Sequence, residues 1–412
     1  MATMSLVKKH WFKGVLAAVV FAPMYFPSIA RGGATDVPQQ GARASGQAEA
    51  FAAQADDPSA IWHNPAGTTQ LRGFNFQAGG TFVFPSWSFD PANGGPGQSM
   101  NMPTLIPTVY VVSDLGTERF RIGLGIGNSF GLNEEWKNSG PLVNIVTQAH
   151  LYVYNVSPSV AFKFNDNFSV GLNFNIYWGD LELTRQVPLG SESGTFHFRG
   201  EDAAFGVTPA VMWKINDRNT IGAVYRSPFD FGFSGDARLK ANGMAEMGPS
   251  HSHVYLRMPQ MATLAYAFRP VQPWKIEADV VWTDWDVVKN TTVTSTNSNF
   301  RQVIPNNWMS GFSYRLGTQI DLTSKLALRL GYAYGQNSVP ESTFSPLVPD
   351  SNYHLGSIGI GYQLTDNITI DAAYQYIFRE TRHIDNSVNS PAVNGTWHNS
   401  FNEVMLSATI KM

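Results

Sequence analysis

The feature that most constrains the fold of this chain is an alternation of apolar and polar side chains that recurs in many short segments. In residues 368–379, ITIDAAYQYIFR, every second residue is apolar or aromatic, and most residues between them are polar. Successive side chains of a β-strand point to opposite faces, so this pattern predicts a strand with one apolar face. The same alternation recurs in residues 168–179, 274–282 and 326–335. We therefore predict an all-β protein.

The connections between the predicted strands alternate between short and long. Six short turns lie at residues 114–119, 165–167, 216–219, 269–273, 321–325 and 365–367. Seven long loops are centred near residues 85–103, 131–149, 185–200, 234–250, 288–305, 336–352 and 382–398. These connections join 14 strands, and an even strand number with short turns on one side and long loops on the other is typical of outer-membrane barrels. The sequence therefore predicts a 14-stranded antiparallel transmembrane β-barrel in the outer membrane of a Gram-negative cell.

Composition favours this membrane barrel over a soluble β-sandwich, which would show the same alternation. Only 14% of the 412 residues are charged, whereas soluble proteins carry about 25%, and 13% are aromatic. Aromatic residues cluster at the ends of the predicted strands, as in the girdles of membrane barrels. The chain has no cysteine, which excludes a disulfide framework and a thiolate metal site. Its net charge of −3 argues against a nucleic-acid partner.

The first 30 residues have the pattern of a secretory signal peptide. Lys8, Lys9 and Lys13 precede an apolar core at residues 14–26, and small residues follow at 28–30. The core is too short to cross a membrane as a helix, so removal of residues 1–30 is expected, with cleavage after Ala30 or Ala34 both open.

The next segment, residues 31–70, differs from the rest of the chain because it shows no strand alternation. Residues 53–67, AQADDPSAIWHNPAG, are rich in small side chains, and Asn64-Pro65 indicates a turn. A 14-stranded barrel is too wide for its own side chains to fill, so a compact segment of small residues suits its lumen. We predict a hatch at residues 31–70 and the barrel at residues 71–412; a disordered periplasmic tail is the alternative for 31–70.

At this point the sequence resembles the long-chain fatty-acid transporter family of Gram-negative outer membranes, which includes aromatic-hydrocarbon channels. The segment DDPSAIWHNPAG (56–67) is similar to the plug signature of that family, and residues 225–239, 257–270, 274–285 and 314–342 resemble further family blocks. The resemblance implies a hatch inside the barrel that contains Asp56, Asp57, Asn64, Pro65, Ala66 and Gly67. The two aspartates could pair with arginines that face the lumen.

The resemblance also implies the partners of the chain. A hydrophobic small molecule would be the ligand, and outer-membrane lipids, lipopolysaccharide and the barrel-assembly machinery would be the other contacts. We expect a monomer without a cofactor.

The third predicted strand, FRIGLGIGNSFG (120–131), has an unusual inward face. That face consists of Arg121, Gly123, Gly125 and Gly127, and glycines within a strand often mark a bulge or a kink. The resemblance implies that this strand bends inward and opens a window in the wall. Alternatively, the glycines only make room for the hatch.

The third and fourth external loops are unusually apolar for solvent-facing segments. Their apolar residues are Val187, Leu189, Phe196, Phe198, Phe229, Phe231, Phe233, Leu239, Met244 and Met247. Exposed apolar patches mark interaction sites, and the resemblance implies a groove between the two loops that captures the ligand. The alternative is that these side chains pack against each other and hold the loops closed.

Two arginines are candidates for binding the carboxylate of a fatty acid. Counting strand parity places Arg226 and Arg257 inward, where each could bind a carboxylate or form an ordinary ion pair in the lumen. His251 and His253 are the only closely spaced histidine pair, and without a third ligand at a recognisable spacing they predict no metal site.

The most favoured function is therefore a passive outer-membrane channel for long-chain fatty acids. The alternatives are an aromatic or alkane hydrocarbon channel of the same architecture, and a barrel that acts as an adhesin or structural protein. An outer-membrane hydrolase is disfavoured because the sequence contains no nucleophile-elbow motif, so the chain is not expected to be an enzyme.

Overall fold

The computed structural model describes residues 35–189, 192–241, 247–295 and 301–412, so the predicted signal peptide lies outside it. In this part of the chain, 14 antiparallel strands close into a barrel, which confirms the predicted fold. They are β1 Phe74–Pro91, β2 Thr104–Ser113, β3 Phe120–Glu135, β4 Gln148–Lys163, β5 Phe168–Leu189, β6 Glu192–Asn216, β7 Asn219–Arg226 with Phe229–Ala241, β8 Met247–Met258 with Met261–Phe268, β9 Trp274–Thr283 with Asn290–Ser295, β10 Arg301–Pro305 with Gly311–Asp321, β11 Leu326–Gly335, β12 Tyr353–Gln363, β13 Ile368–Arg379 and β14 Gly395–Lys411.

The barrel closes between its first and last strands. β1 pairs with β14 from Asn75 opposite Lys411 to Pro91 opposite Gly395, so neither edge of the sheet remains open along this length. Two further short strands, Gln98–Met100 and Arg382–Ile384, lie at the long-loop end. A β-sheet that spans a membrane must close into a barrel, because an open edge would leave backbone groups unpaired in lipid.

The strands on one side of the barrel are much longer than a membrane requires. β5 has 22 residues and β6 has 25, whereas about 9–11 residues cross a bilayer as a tilted strand. They remain paired as far as Leu189 opposite Glu192, and β7 and β8 pair with each other as far as Met247 opposite Leu239. The loops predicted near residues 185–200 and 234–250 are therefore wrong, because most of these residues extend the strands beyond the membrane.

The outer face of the barrel is a band of exposed apolar side chains. Phe205 is 71% exposed and Leu264 is 62% exposed. Rings on this face include Trp178, Trp213, Tyr225, Tyr255, Tyr266, Trp274, Tyr314, Tyr332, Tyr362, Tyr374 and Tyr376. Such a surface suits contact with lipid. Within the described residues, no helix combines the length and the apolar character needed to cross a membrane.

The described part of the hatch, from residue 35 to the start of β1, fills the lumen. It contains α1 Ala42–Ser45, α2 Ala60–His63 and a 3-10 helix Pro65–Gln70. Its alanines pack against small side chains of the wall, including Ala210, Val224 and Ala265. At one point the hatch backbone touches the wall, since a Cβ at Gly222 would overlap the carbonyl of Ala52. Small residues on both surfaces therefore allow the close fit.

Candidate functional site

The turn at the centre of the hatch is built around Asn64. Its side-chain oxygen accepts the N–H of Ala66 at 3.0 Å, and its amide nitrogen donates to the carbonyls of Ala52 at 2.7 Å and Val211 at 3.1 Å. Pro65 begins the 3-10 helix, where its fixed φ is favourable. Gly67 packs so closely on Ala55 that a Cβ there would overlap the Ala55 carbonyl. This turn thus joins the hatch to itself and to β6.

Asp56 connects the hatch to the barrel wall. Its carboxylate pairs with Arg43 of the hatch at 2.9 Å and with Lys275 of β9 at 3.1 Å. Burial alone would raise the pKa of Asp56, but the two cations outweigh burial and lower this pKa below its ordinary value. Asp57 instead accepts hydrogen bonds from Ser59 and Gln77. Asp56 thus pairs with an arginine as expected, although this arginine belongs to the hatch and the wall supplies a lysine. For Asp57 the expected pairing is wrong, because the wall supplies a glutamine.

Two carboxylates of β9 hold four consecutive amides of the hatch. Glu277 accepts the N–H groups of Ala53 at 2.6 Å and Gln54 at 2.9 Å. Asp279 accepts those of Phe51 at 3.2 Å and Ala52 at 3.3 Å. The sequence analysis missed this contact, although Glu277 and Asp279 stand together on the inward parity of β9 in the sequence.

The third strand separates from β2 part-way along its length. β2 and β3 pair from Ser113 opposite Ile122 to Val109 opposite Ile126, and no further pair joins them, although both strands continue. β3 then has a bulge between Asn128 and Phe130 in its pairing with β4. Residues 127–134 are all buried, on both parities, so this half of β3 is surrounded by protein. From Gly127 to Glu134, β3 stays paired with β4 but is covered by protein on both faces.

The start of the hatch occupies the edge of β3 that β2 leaves free. The Val37 N–H donates to Ser129 O at 3.1 Å, and the Gly131 N–H donates to Thr35 O at 2.9 Å. These bonds flank a bridge between Asp36 and Phe130. The hatch is therefore held partly by β-pairing, and not only by side-chain packing and lumen contacts.

The three glycines of β3 face the hatch. A Cβ at Gly123 would lie 2.7 Å from Ile61 Cδ1, one at Gly125 would lie 2.9 Å from Ile61 Cγ2, and one at Gly127 would overlap Gln40 Oε1. These glycines thus make room for the hatch, and the pairing of β3 with β2 ends next to the last of them.

The phenylalanines predicted to line an exposed groove lie inside the barrel. Phe198, Phe231 and Phe233 are at most 1% exposed, and Phe229 is 6% exposed. Phe229 stacks on Tyr177 with ring centres 3.8 Å apart and meets the edges of Phe130 and Phe231. The prediction of an exposed loop is wrong for these four, because they alternate along extended strands and point inward. We call Tyr177, Phe130, Phe198, Phe229, Phe231, Phe233 and Trp285 the apolar funnel.

The remaining groove residues lie further out on the β5–β6 and β7 extensions. Val187, Leu189, Phe196 and Leu239 are half-buried, and Phe196 packs against the same apolar cluster as the funnel. The guanidinium of Arg185 lies 5.7 Å from the Phe196 ring centre. Met244 lies outside the described residues, and so does the side chain of Met247.

The two candidate arginines point in opposite directions. Arg226 faces the lumen, lies over Trp62 at 4.0 Å from its centre and donates to the Trp62 carbonyl at 2.5 Å. Arg257 points outward and pairs with Asp230 at 2.8 Å, with both side chains more than half exposed. The inward prediction for Arg257 is wrong because β8 is interrupted at residues 259–260. Its inward parity changes there, from Val254 and Met258 to Met261 and Ala265.

A small polar cavity lies between the hatch and strands β7 to β10. Its charged and titratable lining residues are Asp36, Glu49, His63, Arg226, Asp279 and Arg315. Burial raises the pKa of Asp36 to about 7, against the opposing charges of Arg315 and Arg226, and burial raises that of Glu49 to about 7. Burial also lowers the pKa of His63. Among the described residues, neither arginine has a carboxylate oxygen within ion-pair distance. The sequence analysis missed Arg315, although its position on the inward parity of β10 could have revealed it.

Comparisons with known proteins match nearly the whole chain. The sequence profile of a family described as Outer membrane protein transport protein (OMPP1/FadL/TodX) matches residues 24–410. A long-chain fatty acid transport protein of Escherichia coli O6:H1 is 22% identical over 364 residues, which cover 78% of this chain and 81% of that protein.

Solved structures share the fold at low sequence identity. A FadL homologue of Pseudomonas aeruginosa superposes with a TM-score of 0.83 at 20% identity, over 92% of this chain and 99% of that one. The toluene transporter TodX of P. putida gives a TM-score of 0.75 at 18% identity, again over 92% and 99%. The barrel and its internal hatch are therefore an architecture that these proteins have in common.

Proposed function

The chain belongs to the outer membrane protein transport family (OMPP1/FadL/TodX), and we propose that hydrophobic molecules pass through it from the apolar funnel to an exit between β2 and β3. As a member of this family it is an outer-membrane transporter of hydrophobic molecules and not an enzyme. The route through the barrel and the identity of the ligand are the parts that we propose.

One observation supports an exit for the ligand between β2 and β3. Pairing between β2 and β3 stops at Val109 and Ile126, while β2 continues over residues 104–108 and β3 over residues 127–135. The wall has no backbone ladder between these two stretches, and hatch residues 35–37 lie along the β3 edge. A hydrophobic ligand that leaves at this point enters lipid directly. It thus avoids the aqueous periplasm, in which it is poorly soluble.

The apolar funnel supports entry from outside the cell. Four of its rings, Phe198, Phe229, Phe231 and Phe233, lie on the long strands β6 and β7, and their burial supports a path on the inner side of these strands. Transfer of a ligand from water into such surroundings gains about 0.8 kcal/mol for each CH₂ group buried. A long acyl chain can therefore be captured without any specific polar contact.

We favour a long-chain fatty acid as the ligand, because the polar cavity contains two guanidinium groups. Arg226 and Arg315 line it together with Met261 and Val281, which belong to the same apolar cluster as the funnel. A carboxylate at the end of an acyl chain could reach these arginines while the chain remains among apolar side chains. The E. coli relative is named for long-chain fatty acids, which agrees with this assignment.

An aromatic hydrocarbon is the second candidate, and a different observation favours it. Arg226 is already engaged by the Trp62 ring and carbonyl, so part of its hydrogen-bonding capacity is used within the protein. The funnel offers stacked and edge-on rings, the arrangement that an aromatic guest prefers. TodX, which shares the fold, is named as a toluene transporter.

Uptake of matched ligands tests the proposal. The chain would be expressed in a Gram-negative strain without its own transporter of this family, and entry of labelled hexadecanoate, hexadecane and toluene would be measured. We expect saturable entry of hexadecanoate above the empty-vector level. Faster entry of toluene than of hexadecanoate would select the second candidate. Vector-level entry of all three ligands, with folded barrel present in the outer membrane, would contradict a transport role for these hydrophobic molecules.

A further inference from the structure

A wide polar vestibule lies on the other side of the hatch from the apolar funnel. It has a volume of about 930 Å³ and opens at the short-turn end of the barrel, which is the periplasmic end in an outer-membrane barrel. Its floor is the end of the hatch at residues 69–72, and its rim includes residues 114–118 and 163–167 of two short turns. The ligand route proposed above does not use this space.

Positive charge in the vestibule exceeds the negative charge that faces it. Arg72, Arg121, Lys214, Arg269 and Lys411 line it, and within the described residues none of them has a carboxylate oxygen within ion-pair distance. Lys163 also lines it but pairs with Asp166 at 2.6 Å.

The acids of the vestibule are mostly compensated by other groups. Asp56 pairs with Arg43 and Lys275, neither of which lines the vestibule. Asp114 accepts the backbone N–H groups of Gly73 at 2.7 Å and Gly116 at 2.9 Å. Glu118 is then the one carboxylate without such a partner among the described lining residues. Within the described part of the wall, five cations without an ion pair thus face two carboxylates without one, Asp114 and Glu118, in a chain whose net charge is −3.

Arg121 is the cation that the fold buries most completely. It is 3% exposed, and it donates to the carbonyls of Leu71 at 2.5 Å, Thr117 at 3.0 Å and Phe120 at 2.8 Å. These three acceptors fix the guanidinium at the junction of hatch, turn and β3. They are neutral and cancel none of its charge, which the nearby carboxylate of Asp114 offsets in part.

From this arrangement we propose that the vestibule binds a small anion through a carboxylate or phosphate group, either free in the periplasm or on an anionic lipid. Arginine and lysine side chains around a concave, low-dielectric wall attract such groups and hydrogen-bond to them. The vestibule is separated from the funnel by the hatch, so this binding is independent of hydrophobic uptake.

Calorimetric titration of the full-length protein in neutral detergent tests the site. The probes are inorganic phosphate, dihexanoyl phosphatidylglycerol and its zwitterionic counterpart dihexanoyl phosphatidylcholine. We expect phosphatidylglycerol to bind more tightly than phosphatidylcholine, and binding to weaken as salt is added. Binding of phosphate as well would identify free anions as a source, whereas binding of phosphatidylglycerol alone would identify the lipid headgroup.

Charge reversal locates the binding. Lys214→Glu with Arg269→Glu should weaken anion binding by about ten- to a hundredfold, since two charged hydrogen-bond donors are lost. Arg218→Glu with Lys325→Glu is the matched control, because both are exposed on short turns at the same end and do not line the vestibule. Equal binding by the two double variants, both shown to be folded by heat-modifiable gel mobility, would overturn the proposal. So would the absence of any preference of the natural chain for anionic probes.

Discussion

Val109 of β2 and Ile126 of β3 form the last pair between these strands, although both strands continue beyond it. Along the edge that β3 then presents, Asp36 of the hatch lies opposite Phe130. The start of the hatch therefore lies along the gap between β2 and β3. Movement of the hatch segment would change the opening directly, which links gating to lateral exit.

A side chain at Gly127 should loosen the hatch. A Cβ there would overlap Gln40 Oε1, so the Gln40 side chain would move. The bonds that its amide nitrogen donates to Asn128 O at 2.5 Å and to Val37 O at 3.0 Å would then be lost. Each buried hydrogen bond is worth about 0.5–1.5 kcal/mol, so Gly127→Val should raise the frequency of ion-conducting events in planar bilayers roughly tenfold or more. Ile126→Val, on the outer face, is the control. A conductance no higher than that of this control would show that Gln40 does not help to seat the hatch.

The opposite orientations of Arg226 and Arg257 provide a matched test of ligand class. If the ligand is an acid, Arg226→Ala should reduce hexadecanoate uptake by about ten- to a hundredfold and leave hexadecane uptake unchanged. Arg257→Ala removes only an exposed pair with Asp230, so both uptakes should stay at the natural level. An equal loss of acid and hydrocarbon uptake in Arg226→Ala would mean that Arg226 serves the hatch and not the ligand.

The barrel could be predicted from the sequence because every strand must place one face against lipid in the same way. A lipid-facing side chain at every second position and a short turn at every second connection are local features, and both can be counted. The contact of β3 with the hatch was also visible, since Gly123, Gly125 and Gly127 share one parity there.

The side-chain predictions failed where a local count could not detect a tertiary feature. Phe229, Phe231 and Phe233 alternate like strand residues, yet their position after a predicted strand end made them look like loop residues. The parity of Arg257 was lost across the interruption at residues 259–260. The hydrogen bonds from the hatch amides to Glu277 join residues more than 220 positions apart, and no local pattern reveals which amides this carboxylate binds.

Seating of the hatch should depend on pH. Burial raises the pKa of Asp36 and of Glu49 to about 7, above the values near 4 that released side chains would have. The seated hatch therefore binds protons that the released hatch gives up. The contribution of these two carboxyls to its stability is fully present below about pH 4 and is lost as pH rises through about 7. The lowered pKa values of Asp56 and His63 act in the opposite direction, since they favour the released hatch as pH falls. Arg226, Asp279, Arg315 and His63 face the same cavity, and the two arginines partly offset the shift of Asp36.

Planar-bilayer recordings check this dependence. Ion-conducting events should become more frequent from about pH 4 to about pH 7, by up to about tenfold per pH unit for each proton released, and should level off above that range. Asp36→Asn combined with Glu49→Gln should flatten the dependence, because neither side chain can then titrate. An unchanged slope in the double variant would assign the dependence to other groups.

A disulfide between the hatch and β3 tests the central claim most directly. The Asp36–Phe130 bridge lies between two backbone hydrogen bonds, which makes it a non-hydrogen-bonded antiparallel pair. Such pairs have Cα atoms about 4.5 Å apart, which is within the range that a disulfide spans. The chain has no cysteine of its own, so Asp36→Cys with Phe130→Cys introduces one defined cross-link. We predict that the oxidised variant takes up little of the hydrophobic ligand and that reduction restores uptake. Equal uptake by the oxidised and reduced forms, with cross-linking shown to be complete by mass spectrometry, would contradict exit past a released hatch.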